Sequence, residues 1–229
     1  MKKSHLYFLS LAMTTCLLSL LSFSCTSEDY ETGDGKYSYL RSDFVEAHSS
    51  AAKTLDYALT DEGDSLIFNP LATVDWATTP DSIYRALLMY NKKDASGNIS
   101  DVISVGQVLT LSMVPTARMQ TVHTDPLTVE SMWMSKNGKY LNMGIYVKSG
   151  KEEGSDARQS VAVLCDTVMK RDDGTKEYCL RLYHDQNGVP EYYSTRVYVS
   201  VPVGALKKGD AIKIEATTYD GVMARSFVK

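Results

Sequence analysis

The chain is short of the residues that carry covalent and metal chemistry. It holds four cysteines and four histidines in 229 residues, and neither type recurs at ligand spacing. No G-x-S-x-G elbow, H-E-x-x-H helix, C-x-x-C pair, Walker loop or EF-hand spacing is present, so no enzyme or metal-site signature can be read. Gly33-Asp34-Gly35 lacks the flanking strand and helix of a phosphate loop. Outside the first 24 residues the histidines are His48, His123 and His184, each in a separate segment. A zinc site wants convergent ligands, so these read as structural residues, with no cofactor, metal or catalytic set expected. Clusters of basic charge are also missing. The net charge is −4, and the pairs Lys92-Lys93 and Lys207-Lys208 cannot displace the counterions of a nucleic acid.

What the chain does have begins at its start. Lys2 and Lys3 precede an apolar run from about Leu6 to Phe23, then Ser24 and Cys25. That is the n-region, h-region and small-residue end of a secretory leader. With a cysteine just after the cut, it resembles a bacterial lipoprotein leader, which implies that Cys25 is the acylated first residue of the mature protein. Ser10, Thr14, Thr15, Ser19 and Ser22 make the run too polar for a comfortable retained span. The expectation is a signal peptide at 1–24 and an acidic flexible tether at 25–36, with the protein anchored at the cell envelope, most naturally the outer membrane. Taking 24 residues from 229 leaves 205, and removing two lysines takes the charge from −4 to about −6.

Beyond the tether, short β-rich runs recur between Gly, Asn, Asp and Pro, and helical periodicity is nearly absent. Tyr37 to Val45 reads as a strand. Leu55, Tyr57 and Leu59 alternate inward, and a turn centred on Glu62-Gly63 sets Tyr57 beside Phe68 and Leu59 beside Leu66. Ile83 to Tyr90 reads as a strand despite the helix-start look of Thr79-Pro80-Asp81. A DASGN turn and a strand from Val102 to Val114 follow. Pro115, Pro126 and the threonines between them then mark 116–127 as a linker.

The second half carries the clearest hairpin. Asn137-Gly138 calls for a type I′ turn that pairs Met134 with Leu141 and Met132 with Met143. Trp133 then lies on the opposite face, across from Asn142. Asp173-Gly174 marks another hairpin, pairing Cys165 with Leu182 and leaving Cys179 on the other face. Two free, buried thiols follow, the alternative being a disulfide across a longer, bulged turn. Strands from Tyr192 to Val203, Ala211 to Thr218 and Val222 to Val228 complete about seven.

Two features invite a ligand. Asp185 and Asn187 in LYHDQNG offer oxygens to Ca²⁺, but an inter-strand turn explains the same letters. Fifteen tyrosines and two tryptophans suit binding platforms, with Trp76 and Trp133 the best candidates, although β-propensity alone accounts for tyrosine-rich strands.

The leader, the W-[…]-NGKYLNM hairpin at 133–143 and LRLYHDQNG at 180–188 together resemble the NigD-like lipoproteins of Gram-negative anaerobes. The similarity covers nearly the whole mature chain. It implies an all-β protein with a five-stranded OB-like barrel at 37–115 and an antiparallel β-sandwich at 128–229. The usual helix between the third and fourth barrel strands must be compressed into Leu71–Ser82. The family name comes from a bacteriocin-production gene cluster, which implies an accessory or immunity-like part, and the family brings no catalytic residues. The reading is a non-enzymatic, lipid-anchored binding protein. Its alternative is a surface lipoprotein that captures glycans. The partners expected are the membrane through its anchor and a protein or glycan ligand.

Overall fold

The computed structural model describes residues 40–91, 98–99 and 102–229. Cys25, the leader, the tether and most of the DASGN turn lie outside them. The described chain is all-β, with a single 3-10 turn at Thr116–Arg118.

Strands β1 (Leu40–Ala51), β2 (Thr54–Thr60), β3 (Ser65–Thr73), β4 (Ser82–Asn91), β5 (Asn98–Ile99) and β6 (Val102–Gln107) form one sheet in the order β5-β3-β2-β1-β4-β6. Its five antiparallel strands curl into a half-barrel. The curled face encloses Val45, Leu55, Leu66, Phe68, Leu88 and Tyr90 around small alanines. No helix lies between β3 and β4.

The remaining strands build a sandwich. β7 (Leu109–Thr110), β9 (Thr128–Met134), β10 (Tyr140–Ser149) and β13 (Tyr193–Pro202) order as β7-β13-β10-β9. The facing sheet is β15-β14-β12-β11-β8, from β8 (Met113–Pro115), β11 (Ser160–Lys170), β12 (Lys176–Asp185), β14 (Ala211–Thr218) and β15 (Gly221–Val228). Leu141, Met143 and Ile145 of one sheet meet Leu180, Leu182 and Ile214 of the other, as inward alternation demands. β7–β13, β8–β11 and β12–β14 pair in parallel. The single strand expected from Val102 to Val114 is three short ones, two of which join the two sandwich sheets.

Turn chemistry corrects two expected registers and one expected turn type. Gly63 has φ 92° and donates its N–H to the Thr60 carbonyl at 3.0 Å, making a three-residue loop where two were expected. Tyr57 therefore pairs with Ile67, not Phe68. A one-residue slip turns side chains over, so Tyr57 is exposed and Ala58 is buried, until a second irregularity between Tyr57 and Leu55 leaves Leu55 in the core as expected. Gly174 (φ 82°) makes the same loop by donating to Arg171. There a bulge between Cys165 and Thr167 adds a second residue. The two shifts sum to a whole side-chain period, so Cys165 faces Leu180 instead of Leu182 and the inward face survives. Cys165 and Cys179 are free as expected, but half-buried instead of buried.

The hairpin at 134–141 has the expected pairs. Its turn differs, because Gly138 (φ 67°) is at positive φ and Asn137 is not. A type I′ turn needs both. Instead Gly138 donates to the Ser135 carbonyl and Ser135 to that of Tyr140, each at 2.8 Å, which closes a four-residue loop in the same register.

Candidate functional site

The outer face of the half-barrel meets the outer face of the β10–β13 sheet, so β10 is buried on both sides. Alternation along β1 puts Phe44, Glu46 and His48 on that face, and along β4 it puts Ile83 and Arg85 there. Arg85 is the bolt of the junction. Its guanidinium is forked onto Asp61 at 2.7 and 2.6 Å, and its Nε donates to Ser200 Oγ at 3.1 Å. It also donates to Asn142 Oδ1 at 3.2 Å and lies 4.0 Å from the centre of the Tyr140 ring. Asn142 returns a hydrogen bond to Asp61 at 3.0 Å, and Ser200 donates to Asn142 at 2.7 Å. Each buried polar atom of this group is thereby satisfied, as a buried charge requires.

Around the bolt, Phe44 meets Trp133 and Tyr198 edge-on, with ring centres 5.3 and 5.4 Å away. Glu46 accepts from Tyr140 Oη at 2.9 Å and from Lys139 Nζ at 2.6 Å. Burial pushes the Glu46 carboxyl up, but its bonds to Lys139 and Tyr140, with the Arg85 charge, outweigh that and hold it below the usual range. Burial first, then Glu46, pushes the Tyr140 phenol up to about 12. A cleft of about 520 Å³ opens beside the junction, lined by Ile83, Arg85, Leu109 and Tyr140 among others.

The same sheet face runs on past the junction as an open surface. Ile83, His48, Tyr57 and Ile67 are successive cross-strand partners over β4, β1, β2 and β3. Ile83, Ile67 and Tyr57 are exposed at 54%, 45% and 40%. His48 stacks on Tyr57, the ring centres 4.7 Å apart and the planes 15° from parallel. It is held between Asp56 at 2.7 Å and Asp81 at 3.2 Å, and these bonds raise its pKa.

The two tryptophans singled out as platforms are placed elsewhere. Trp133 does lie across from Asn142, but that face is the junction, and the ring is half-buried there. Trp76 is half-buried against the half-barrel core and meets Tyr84 edge-on at 5.6 Å. Sequence reasoning missed Arg85, Asp61 and Asn142 as a unit, and missed His48 with Tyr57, because each group is assembled across strands. LYHDQNG is an inter-strand turn, with Asn187 at φ 45° and its N–H bonded to Asp185.

The family model for the NigD-like C-terminal beta sandwich domain matches residues 110–228, more than half of the chain. The chain belongs to the NigD-like family. Among solved structures it is similar to a NigD-like immunity protein from Bacteroides caccae. Identity is 21%, coverage is 82% of this chain and 96% of that one, and the TM-score is 0.62. It is similar also to a protein from Parabacteroides distasonis provisionally described as toxin-related, at 19% identity, with 83% and 93% covered and a TM-score of 0.61. A third similar structure, from Bacteroides fragilis, is provisionally described as a lipoprotein. It is 12% identical, with 82% and 96% covered and a TM-score of 0.52. At these identities the likeness is one of fold. No curated protein matches the chain. Among the described residues no helix is long and apolar enough to cross a membrane.

Proposed function

We propose that this NigD-like protein is tethered to the envelope, at the outer membrane, by a lipid on Cys25, and that it acts by binding a protein partner in an immunity-like part, not by catalysis. The observation that carries the reading is the row Ile83–His48–Tyr57–Ile67, exposed at every position but the half-buried His48. Single exposed apolar residues are ordinary on a surface; three in one cross-strand row, bridged by the His48 ring, make a patch. Asp56 and Asp81 border it, so the partner it fits is an apolar segment flanked by basic residues. The description of the Bacteroides caccae relative as an immunity protein supports the same reading, and that of the Bacteroides fragilis structure supports the anchor. Glycan capture would draw on exposed, near-coplanar rings. Both tryptophans instead make edge-on, half-buried contacts, at 81° for Trp133 and 68° for Trp76, so the apolar row favours a protein.

The test is genetic. Deletion of the gene should sensitise cells to a peptide or protein toxin from a sibling strain, and the wild-type gene should restore survival. Tyr57→Asp with Ile67→Asp should fail to restore it while still taking up a fatty-acid probe, and Cys25→Ala should take up none. Equal survival of deleted and wild-type cells against every toxin producer would remove the immunity reading. Equal labelling of Cys25→Ala and wild type would remove the anchor.

A further inference from the structure

A separate cluster sits at the end of the sandwich, on residues that the sequence scatters. The strap that enters β9 is zipped along the end of β12. His184 donates its backbone N–H to the His123 carbonyl at 3.3 Å, and Asp125 donates its own to the His184 carbonyl at 3.0 Å. Thr124 and His184 form a parallel bridge. Extended chain alternates sides, so His123, Asp125 and Asp185 all project away from the side that carries His184. One donor atom from each lies within 4.8 Å of the others.

Two features distinguish this group from a solvated acidic surface. First, Asp125 and Asp185 have no Lys or Arg ion-pair partner among the described residues, and the group nearest in charge is the His123 ring, with Nδ1 3.8 Å from Asp185. That is too long for a hydrogen bond, so the imidazole faces the carboxylates without bonding to them. Second, each carboxylate is already oriented by a backbone donor. Gln186 N–H bonds Asp125 Oδ2 at 2.7 Å, and Asn187 N–H bonds Asp185 Oδ1 at 2.9 Å. Such outer bonds aim ligands at a metal. His184, by contrast, has both ring nitrogens engaged, with the Asp125 carbonyl and with Gln159 Oε1, each at 3.1 Å; it braces the strap.

We propose that His123, Asp125 and Asp185 bind one divalent ion of the zinc class. One imidazole and two carboxylates suit Zn²⁺ and its transition-metal neighbours, whereas Ca²⁺ takes oxygen alone. Rotation of half-exposed side chains brings donors within 4.8 Å to the bond lengths of about 2.0–2.2 Å that Zn²⁺ takes. Water completes the coordination on the open side. The bound ion ties the strap at 123–125 to β12 and offsets the charge of the two aspartates.

The full chain in detergent, stripped with chelator, is titrated calorimetrically with ZnCl₂ and, separately, with CaCl₂. One Zn²⁺ per chain is expected, with a rise in melting temperature on binding. His123→Ala and Asp185→Asn should each raise Kd roughly tenfold or more while leaving the metal-free circular dichroism unchanged. Co²⁺ in place of Zn²⁺ should give visible absorption that both variants lose, a readout independent of stability. The proposal is overturned by no saturable Zn²⁺ binding, by tighter binding of Ca²⁺ than Zn²⁺, or by variants that bind as the wild type does.

Discussion

The two halves of this protein solve the same burial problem with unequal means. The sandwich closes two sheets over fifteen buried apolar residues, only one of them alanine. Among the described residues the half-barrel curls one sheet over eleven, four of which are alanine. Small side chains let a sheet curl tightly but remove little apolar surface from water. The half-barrel's outer face then leans on the sandwich through Arg85, Asp61, Asn142 and Ser200. The difference teaches that the weaker core is completed by a polar junction, and that whatever the junction leaves uncovered becomes open surface.

The largest test of this contrast is the bolt itself. Asp61→Ala leaves a buried guanidinium without its carboxylate and should cost about 3–5 kcal/mol, read as a fall in denaturation midpoint. Asp61→Leu with Arg85→Met should recover most of that loss, since an apolar pair of similar volume avoids burying a lone charge. Failure of the double variant to recover would mean that the junction depends on hydrogen-bond geometry, not on charge burial.

Next come matched cavities. Leu88→Ala and Leu141→Ala should each cost about 2–5 kcal/mol. In hydrogen exchange, Leu88→Ala should deprotect β1 to β4 alone. Leu141→Ala should deprotect both halves, because β10 carries the sandwich core on one face and the junction on the other. Identical exchange patterns would show that the halves unfold as one unit.

The smallest effect concerns the open row. Asp56 and Asp81 raise the pKa of His48 above its ordinary 6.5. A raised value in the folded state gives stability that is complete below about pH 6.5 and is lost as pH climbs through the folded pKa. The wild type should therefore lose melting temperature against His48→Gln over that window. Parallel melting curves for the two would show that the ion pairs contribute nothing measurable, as exposed pairs often do.

Much of the fold was legible because it rests on local patterns. Alternation along β10 and β13 marked Leu141, Met143, Val199 and Val201 as core, and the pairing of Met134 with Leu141 followed from the position of Asn137-Gly138. Ile83 to Tyr90 was told from a helix by its shortness and its missing amphipathic face. Register near Asp-rich turns was less legible. Asp61-Glu62-Gly63 and Asp172-Asp173-Gly174 both close as three-residue loops. In the second hairpin a bulge between Cys165 and Thr167 restores the face at Cys165, whereas in the first the irregularity comes between Tyr57 and Leu55, too late for Tyr57. One slip therefore exposed Tyr57, the residue that stacks with His48.

The sequence by itself determined that this is an all-β chain, since side-chain period and turn residues are local properties that persist in any context. Tertiary structure alone decided which residues meet. Arg85 lies 115 positions from Ser200, and His123 lies 62 from Asp185. Nothing in such spacing names a partner until the sheets stack, because chain geometry carries orientation over a few residues only. Packing then chooses among the many faces a strand offers.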